Sequence, residues 1–371
     1  MGNRGDGSTP RRPAQTPATR AGGQGTIEAQ PDSLKLRKGW NISYARRNLR
    51  WLLALVVFLS AMAASAQTCL TTGDMDEAAR SALVTTANRF YDMAARGDSA
   101  SLRQNSITSL ATNFTGIENA IRENQANLAG TQPVARPPFL LKAEGTRPLQ
   151  RAEFLCGVFG AQGQTRDSAV FVIPNLPPGN YGIVTLDAPS PRGANTVSFV
   201  LQEESRNWKL GGFYAKLTQI AGHDGNWFTE RAREFKAKGQ TRNAWFYYGE
   251  ARELLVPVPF MATATTDRLY DEMQTVKPAD MAPAELTAGL KTYKLIDLFP
   301  VPVATDFDLV VKYQCADVSD SGRTFQDNIA VMKALVARYP EFRDGFAGIV
   351  VRAVEPSGRD YGSMLAMKDI K

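Results

Sequence analysis

The stretch TVSFVLQEESRNWKLGGFYAKL, residues 196–217, decides the fold of the first half of the chain. Its first six residues place Val197, Phe199 and Leu201 at alternate positions, which is the pattern of a half-buried antiparallel strand. Turn-forming residues separate this strand from a second β-rich segment at 208–217. Two such segments in succession predict an antiparallel sheet.

Upstream of this stretch, the chain divides into a helical part and a strand-rich part. Further β-rich segments are predicted at 152–159, 168–173 and 181–187. Before them, apolar residues recur every three or four positions over 76–96, and shorter helices are predicted over 102–114 and 116–128. Helices followed by a run of antiparallel strands predict the α+β fold class.

Residues 76–217 resemble the nuclear-transport-factor-two-like (cystatin-like) α+β cone. The matching residues are ANRFY at 87–91, followed by Gly97, Asp98 and Leu102, and WKLGGF at 208–213. The segment 131–150 and the proline-rich loop 174–178 are insertions that depart from a minimal cone. The resemblance implies a sheet curved around a cavity that holds a small ligand, or an open sheet face that binds a partner.

Five aromatic residues are the candidates for lining that ligand cavity: Phe90, Tyr91, Trp208, Phe213 and Tyr214. The first two belong to the opening helix and the other three to the closing strand of the resemblance. The alternative is that these side chains simply form the hydrophobic core, since aromatic residues at such spacings usually do.

Residues 226–257 resemble a single tetratricopeptide-like helix pair, and an ordinary helical hairpin is the alternative. The matching positions are Ala232, Phe235, Gly239, Ala244, Tyr248, Ala251 and Pro257. Gly239 is expected in the turn with a positive φ, and Ala244 where the helices touch. Lys236 and Arg242 are expected on the outer face. Because one pair cannot bury its own apolar face, it should pack on a neighbouring domain.

A ββαββ unit is predicted for the last segment, 286–371, in which no family is recognised. The predicted domain plan therefore has five parts. They are a disordered basic tail at 1–50, a signal peptide or signal anchor at 51–66, the cone-like domain at 67–220, a helical connector at 221–280 and a C-terminal α+β domain at 281–371.

The N-terminal pattern is that of a secretory signal. The uncharged apolar run WLLALVVFLSAMAA, residues 51–64, follows three nearby arginines and ends in Ala64, Ser65 and Ala66. A basic segment, a short apolar segment and a small-x-small site predict cleavage between Ala66 and Gln67. A membrane-spanning helix needs about 20 apolar residues, and this run is shorter. An uncleaved anchor in the inner membrane remains the alternative.

This signal predicts an exported protein of the periplasm, the cell surface or the extracellular space. The chain has a formal net charge of +6. Because the excess positive charge lies in residues 1–50, beside the predicted membrane segment, it follows the positive-inside pattern. The remainder is nearly neutral, so no nucleic-acid partner is expected.

Three cysteines are present, and an oxidising compartment favours a disulfide between two of them. Cys69 and Cys156 are the predicted pair because both fall in the cone-like domain, which leaves Cys315 as a free thiol. The alternative is that all three are buried apolar residues. Transition-metal sites usually need several His or Cys ligands at close spacing, so no metal or cofactor is predicted.

No group of residues carries a recognisable catalytic pattern. The single histidine, His223, lies in a Gly-flanked linker, where a catalytic base is poorly oriented. Several carboxylates lie near the second strand of the last segment, among them Asp306 and Asp308, and they are expected to form a solvated edge. Glu203 and Glu204 are likewise expected to be solvent-exposed surface charges. These features favour a non-catalytic binding or assembly protein with a protein partner in the cell envelope. The alternative is a small-molecule binder or a His-independent enzyme that uses the cone's cavity.

Overall fold

The computed structural model describes residues 67–160, 163–164, 168–190, 193–281, 284–303 and 306–371. These residues form a mixed α+β structure, which confirms the predicted fold class. The predicted tail, the apolar signal segment and its cleavage residues Ala64, Ser65 and Ala66 lie outside the described residues. Gln67, the expected mature start, is the first described residue and begins a strand.

The helices are α1 (Glu77–Ala95), α2 (Ser99–Gln104), α3 (Thr108–Thr112), α4 (Thr115–Leu128), α5 (Gly225–Ala237), α6 (Thr241–Leu255), α7 (Ala264–Gln274), α8 (Ser321–Arg338) and α9 (Phe342–Gly345), and a 3-10 turn spans Met367–Asp369. The strands are β1 (Gln67–Leu70), β2 (Val134–Ala135), β3 (Phe139–Ala143), β4 (Leu149–Cys156), β5 (Phe159–Gly160), β6 (Gly163–Gln164), β7 (Ala169–Leu176), β8 (Gly179–Ala188), β9 (Asn195–Glu204), β10 (Asn207–Leu217), β11 (Gln219–Ile220), β12 (His223–Asp224), β13 (Met261–Thr263), β14 (Glu285–Ala288), β15 (Lys291–Val303), β16 (Asp306–Gln314), β17 (Gly348–Val354) and β18 (Asp360–Ala366).

The helices α1 to α4 cover one face of an antiparallel sheet. Its strand order is β1-β3-β8-β9-β10, and β2 pairs with β8. The Asp76 carboxylate accepts a hydrogen bond from the Ala79 amide at 2.6 Å, which caps the start of α1. Gly182 on β8 leaves room for the Leu83 side chain, so α1 lies close against the sheet. Helices and sheet share one hydrophobic core.

A second, three-stranded sheet, in the order β13-β7-β4, covers the opposite face of the large sheet. The cone resemblance did not predict this layer, and part of it comes from the insertions that depart from a minimal cone. A Cys69–Cys156 disulfide joins β1 of the large sheet to β4 of the second, with 5.1 Å between the Cα atoms. The predicted pairing is therefore confirmed. Cys315 is a half-buried free thiol.

The segment predicted as a helical connector is only partly helical. Met261–Thr263 forms β13 and pairs with β7, so this part of 221–280 completes the first domain's second sheet. Val258 lies fully buried in the same layer. The reason is that the extended chain after α6 offers its backbone to the open edge of β7, a pairing that no local periodicity records.

The helices α5 and α6 form the predicted pair, and α7 packs against α6. Gly239 lies in the turn with a φ of 73°, and Ala244 is fully buried, as predicted. Arg242 was expected on the outer face, and that expectation is wrong. Its guanidinium reaches Asp280 at 2.5 Å and lies 4.1 Å from the Tyr339 ring centroid, because α6 packs against the segments after it.

The last segment forms one mixed sheet in the order β14-β15-β16-β17-β18. β16 and β17 are parallel and are connected through α8, which covers one face of the sheet. This is the predicted ββαββ unit with the short strand β14 added at the edge. The helix pair and this sheet share one hydrophobic core, so the pair does bury its apolar face on a neighbour.

Candidate functional site

The predicted cavity residues lie on both faces of the large sheet. On the helix face, Phe199 lies between Phe90 and Phe213, with ring centroids 6.2 and 5.7 Å away. Phe90, Tyr91 and Phe213 are all buried in the same core, and Trp208 packs against it. The space where the resemblance implied a ligand cavity is therefore filled by aromatic side chains.

Tyr214 is the exception, because strand alternation turns it to the opposite face from Phe213. Its ring lies in an edge-to-face contact with Phe260, at 5.6 Å between centroids. Phe260 also contacts Phe171 of the second sheet, at 6.4 Å. Tyr214 thus lies between the two sheets, where it lines an open groove.

This inter-sheet groove has a volume of about 710 Å³. Its floor is formed by β9 and β10, its far wall by β7, and its ends by the start of α3 and by Pro259 and Phe260. Most of the lining is apolar, including Val172, Ile173 and Val200. The Val172 amide donates to the Phe260 carbonyl at 2.9 Å, so the segment that closes the groove is hydrogen-bonded to its wall.

One end of the inter-sheet groove is polar. Val200, Gln202 and Glu204 alternate along β9, so the floor changes from apolar to acidic toward the end of the strand. The Glu204 carboxylate lies 3.2 Å from the Lys209 ammonium. The exposed side chains of Thr108 and Ser109 add hydroxyl groups at the α3 side.

Two tyrosine hydroxyls complete the polar groups. Burial raises the pKa of both Tyr181 and Tyr214. Tyr181 donates to the Pro177 carbonyl at 2.7 Å. The Tyr214 hydroxyl has no hydrogen-bond partner among the described residues and remains free to donate to a ligand. The groove can therefore hold an apolar body and hydrogen-bond a polar end.

Sequence reasoning missed the far wall of the groove. The relevant signals were the proline-rich loop after Ile173 and the Pro-Val-Pro-Phe run at 257–260, both of which favour extended backbone. Neither pattern indicates that the two segments meet. His223 lies elsewhere, stacked on Trp227 at 3.7 Å between ring centroids.

The expectation that the carboxylates near β16 are solvated is wrong for Asp308. Asp308 is fully buried, whereas Asp306 is exposed. Burial raises the pKa of the Asp308 carboxyl, the nearby Asp306 charge adds to this, and the Gly348 amide opposes it. Because residue 348 is a glycine, no side chain at the start of β17 crowds the Asp308 carboxylate that lies beside it.

Within the described ranges, no three His, Cys, Asp or Glu side chains converge closely enough to hold a metal ion. In the same part of the chain, no helix has the length and apolar character needed to cross a membrane. Comparisons with protein-family models, curated proteins and solved structures find no match to this chain. The resemblances to the cone and to the helix pair therefore stand on the quoted residues alone.

Proposed function

We propose that the protein is an exported, non-catalytic binding protein of the cell envelope that holds an apolar small molecule in the inter-sheet groove. The observation that carries the proposal is the groove itself, about 710 Å³ in volume and lined mainly by apolar side chains. Ligand pockets usually measure about 300–1,000 Å³ and combine an apolar lining with a few placed polar groups. This groove has both properties.

The walls of the groove are held in place by covalent and hydrogen-bonded links. The Cys69–Cys156 disulfide ties the two sheets together, and β13 extends the second sheet beside the groove. A preformed site loses little conformational freedom when a ligand enters, which favours binding. These links support a binding role and explain why a small domain can keep an apolar groove open.

The lining also indicates the chemistry of the ligand. An apolar body would contact Val200, Ile173 and Phe260, and a hydroxyl or amine would meet Gln202 or Glu204 at the polar end. The Glu204 carboxylate is paired with the Lys209 ammonium at 3.2 Å, so the polar end carries no uncompensated charge to attract a charged ligand end. A neutral amphiphile fits best.

A fluorescence titration tests this proposal with N-phenyl-1-naphthylamine, an uncharged apolar probe, and the full chain. We expect the probe to brighten on binding and to be displaced by decanol. Ser109→Trp places a large ring at the groove mouth without altering the core, and it should weaken binding by at least about tenfold, or about 1.4 kcal/mol. Thr112→Trp, which is exposed on the same helix but outside the lining, is the matched control.

Absence of probe binding would contradict the proposal, as would equal affinities of the two tryptophan variants.

Cell fractionation, combined with an intact-mass measurement of the native protein, tests the exported location separately. An intact mass that corresponds to a chain beginning at Gln67, measured outside the cytoplasm, supports a cleaved signal. A mass that includes residues 1–66 in the inner-membrane fraction supports the anchor instead. Co-purification from that compartment then tests for a protein partner in the cell envelope.

A further inference from the structure

A second pocket, of about 470 Å³, lies where the helix pair meets the C-terminal sheet. Its lining comes from β12 and the residue Ala221 before it, α5, α6, the start of β16, the end of α9 and the segment between α9 and β17. These elements belong to one continuous hydrophobic core, so the pocket is built into a single packed unit. It lies apart from the inter-sheet groove and shares no lining residue with it.

Aromatic rings form the floor of this junction pocket. Tyr247 lies 5.4 Å from Phe307 and 6.3 Å from Phe346, measured between ring centroids. The Tyr247 hydroxyl donates to the Gly345 carbonyl at 2.6 Å, which fixes the ring in place. Trp227 joins this group at 6.2 Å from Tyr247, and His223, which also lines the pocket, stacks on the Trp227 ring at 3.7 Å. Tyr247, Phe307 and Phe346 are buried except for the small part of each that lines the pocket, whereas Trp227 is half-buried.

Carboxylates surround this aromatic floor. Four acidic residues and one arginine line the pocket: Glu230, Glu234, Asp306, Asp344 and Arg231. The arginine does not neutralise the site, because Arg231 pairs with Glu234 at 2.5 Å and lies 4.5 Å from the Phe235 ring centroid. Asp344 accepts a hydrogen bond from Gln240 at 2.6 Å.

The two remaining carboxylates have no partner. The side chains of Glu230 and Asp306 make no ion pair or hydrogen bond with any residue that the structure describes, and both are exposed. The pocket therefore combines an aromatic floor with uncompensated negative charge. Aromatic faces and carboxylates both attract cations and both disfavour anions.

The arrangement distinguishes an organic cation from a metal ion. A metal ion needs several oxygen or nitrogen ligands that converge on one point. In the described part of the chain no such group of three acidic, His or Cys side chains exists. A diffuse charge with an apolar shell can instead contact the rings and the rim together.

From this combination we infer that the junction pocket binds a small organic ammonium ion. The alkyl groups of the ammonium contact the floor formed by Trp227, Tyr247 and Phe307, and its positive charge faces Glu230 and Asp306. This inference concerns a site separate from the proposed groove. It holds whether or not the groove binds an apolar molecule.

Calorimetric titration of the full chain with choline tests the inference, and 3,3-dimethylbutan-1-ol serves as the uncharged carbon analogue of the same shape. We expect choline to bind at least about tenfold more tightly than the alcohol, because only choline carries the charge that the rings and carboxylates attract. Added salt should weaken choline binding, since the rim carboxylates are exposed to solvent.

The double variant Glu230→Gln with Asp306→Asn should weaken choline binding by about tenfold while the melting temperature changes little, because both side chains are exposed and unpaired. Glu123→Gln, an exposed carboxylate of α4, is the matched control and should keep full affinity. Equal binding of choline and the alcohol would overturn the inference. So would a double variant that retains the affinity of the unaltered chain, or no choline binding at all.

Discussion

Replacement of Glu250 by glutamine should stabilise the protein at alkaline pH and leave it unchanged at acidic pH. Glu250 lies on α6, near Glu253 and Lys216, where the helix pair meets the end of β10. Burial raises the pKa of its carboxyl to about 7, the Glu253 charge adds to this, and Lys216 opposes it. Glutamine has nearly the same shape as the protonated acid and never ionises.

The magnitude follows from the difference between the folded and unfolded pKa values. A rise from 4.5 to about 7 corresponds to about 3 kcal/mol, at about 1.4 kcal/mol per pKa unit. Since the folded pKa is the higher one, the stabilising contribution of Glu250 is fully present below about pH 4.5. It is lost as the pH rises through about 7. At pH 8 the free energy of unfolding of the variant should therefore exceed that of the unaltered chain by about 1–3 kcal/mol, after allowance for partial solvent access to the carboxyl.

Denaturant unfolding of both chains at several pH values measures this difference directly. The expected result is a difference in unfolding free energy that is close to zero in acid and grows between the two pKa values. Glu123→Gln, on the exposed side of α4, should show no such growth. If the difference between the Glu250 variant and the unaltered chain were constant across the pH range, the burial of this carboxyl would be refuted.

The remaining predictions concern the disulfide and the helix pair. Thiol labelling of the unreduced, denatured chain should modify Cys315 alone, and modification of all three cysteines would contradict the Cys69–Cys156 bond. Replacing both bonded cysteines by alanine should cost up to about 4 kcal/mol in urea unfolding. Ala244→Leu should cost about 1–3 kcal/mol by overpacking the contact between α5 and α6, and a neutral result in thermal melts would contradict the helix register. Arg242→Ala should lower the free energy of unfolding by about 1–2 kcal/mol, since it removes the ion pair with Asp280 and the cation–π contact with the Tyr339 ring. A change below about 0.5 kcal/mol would indicate a solvated side chain.

Local patterns in the sequence were sufficient for the order and type of the main elements. Alternation at Val197, Phe199 and Leu201 identified a strand, and all three side chains are fully buried. The predicted exposure of the opposite face is wrong, because Thr196 and Ser198 on that face are buried as well. The small residue Ala244 and the turn glycine Gly239 identified a closely packed helix pair. These predictions succeed because side-chain period and backbone freedom are properties of a few consecutive residues.

Pairing of distant segments was beyond those patterns. Phe213 and Tyr214 are neighbours in sequence with the same aromatic character, yet one completes a filled core and the other lines the groove. Which face is filled depends on whether a helix or a second sheet covers it. The second sheet is formed by β4 and β7, and Met261–Thr263 completes it by pairing with β7 across a separation that periodicity cannot report.

The cysteine pair and the buried aspartate show the same division. The sequence by itself placed Cys69 and Cys156 in one predicted domain, and the expectation of an oxidising compartment then led to the predicted pair, which is the disulfide that the structure contains. Only the tertiary structure decided that Asp308 is buried, because its environment depends on the glycine at 348 in a strand reached through α8. A local pattern records which face a side chain takes, whereas burial and charge also depend on which distant residues cover that face.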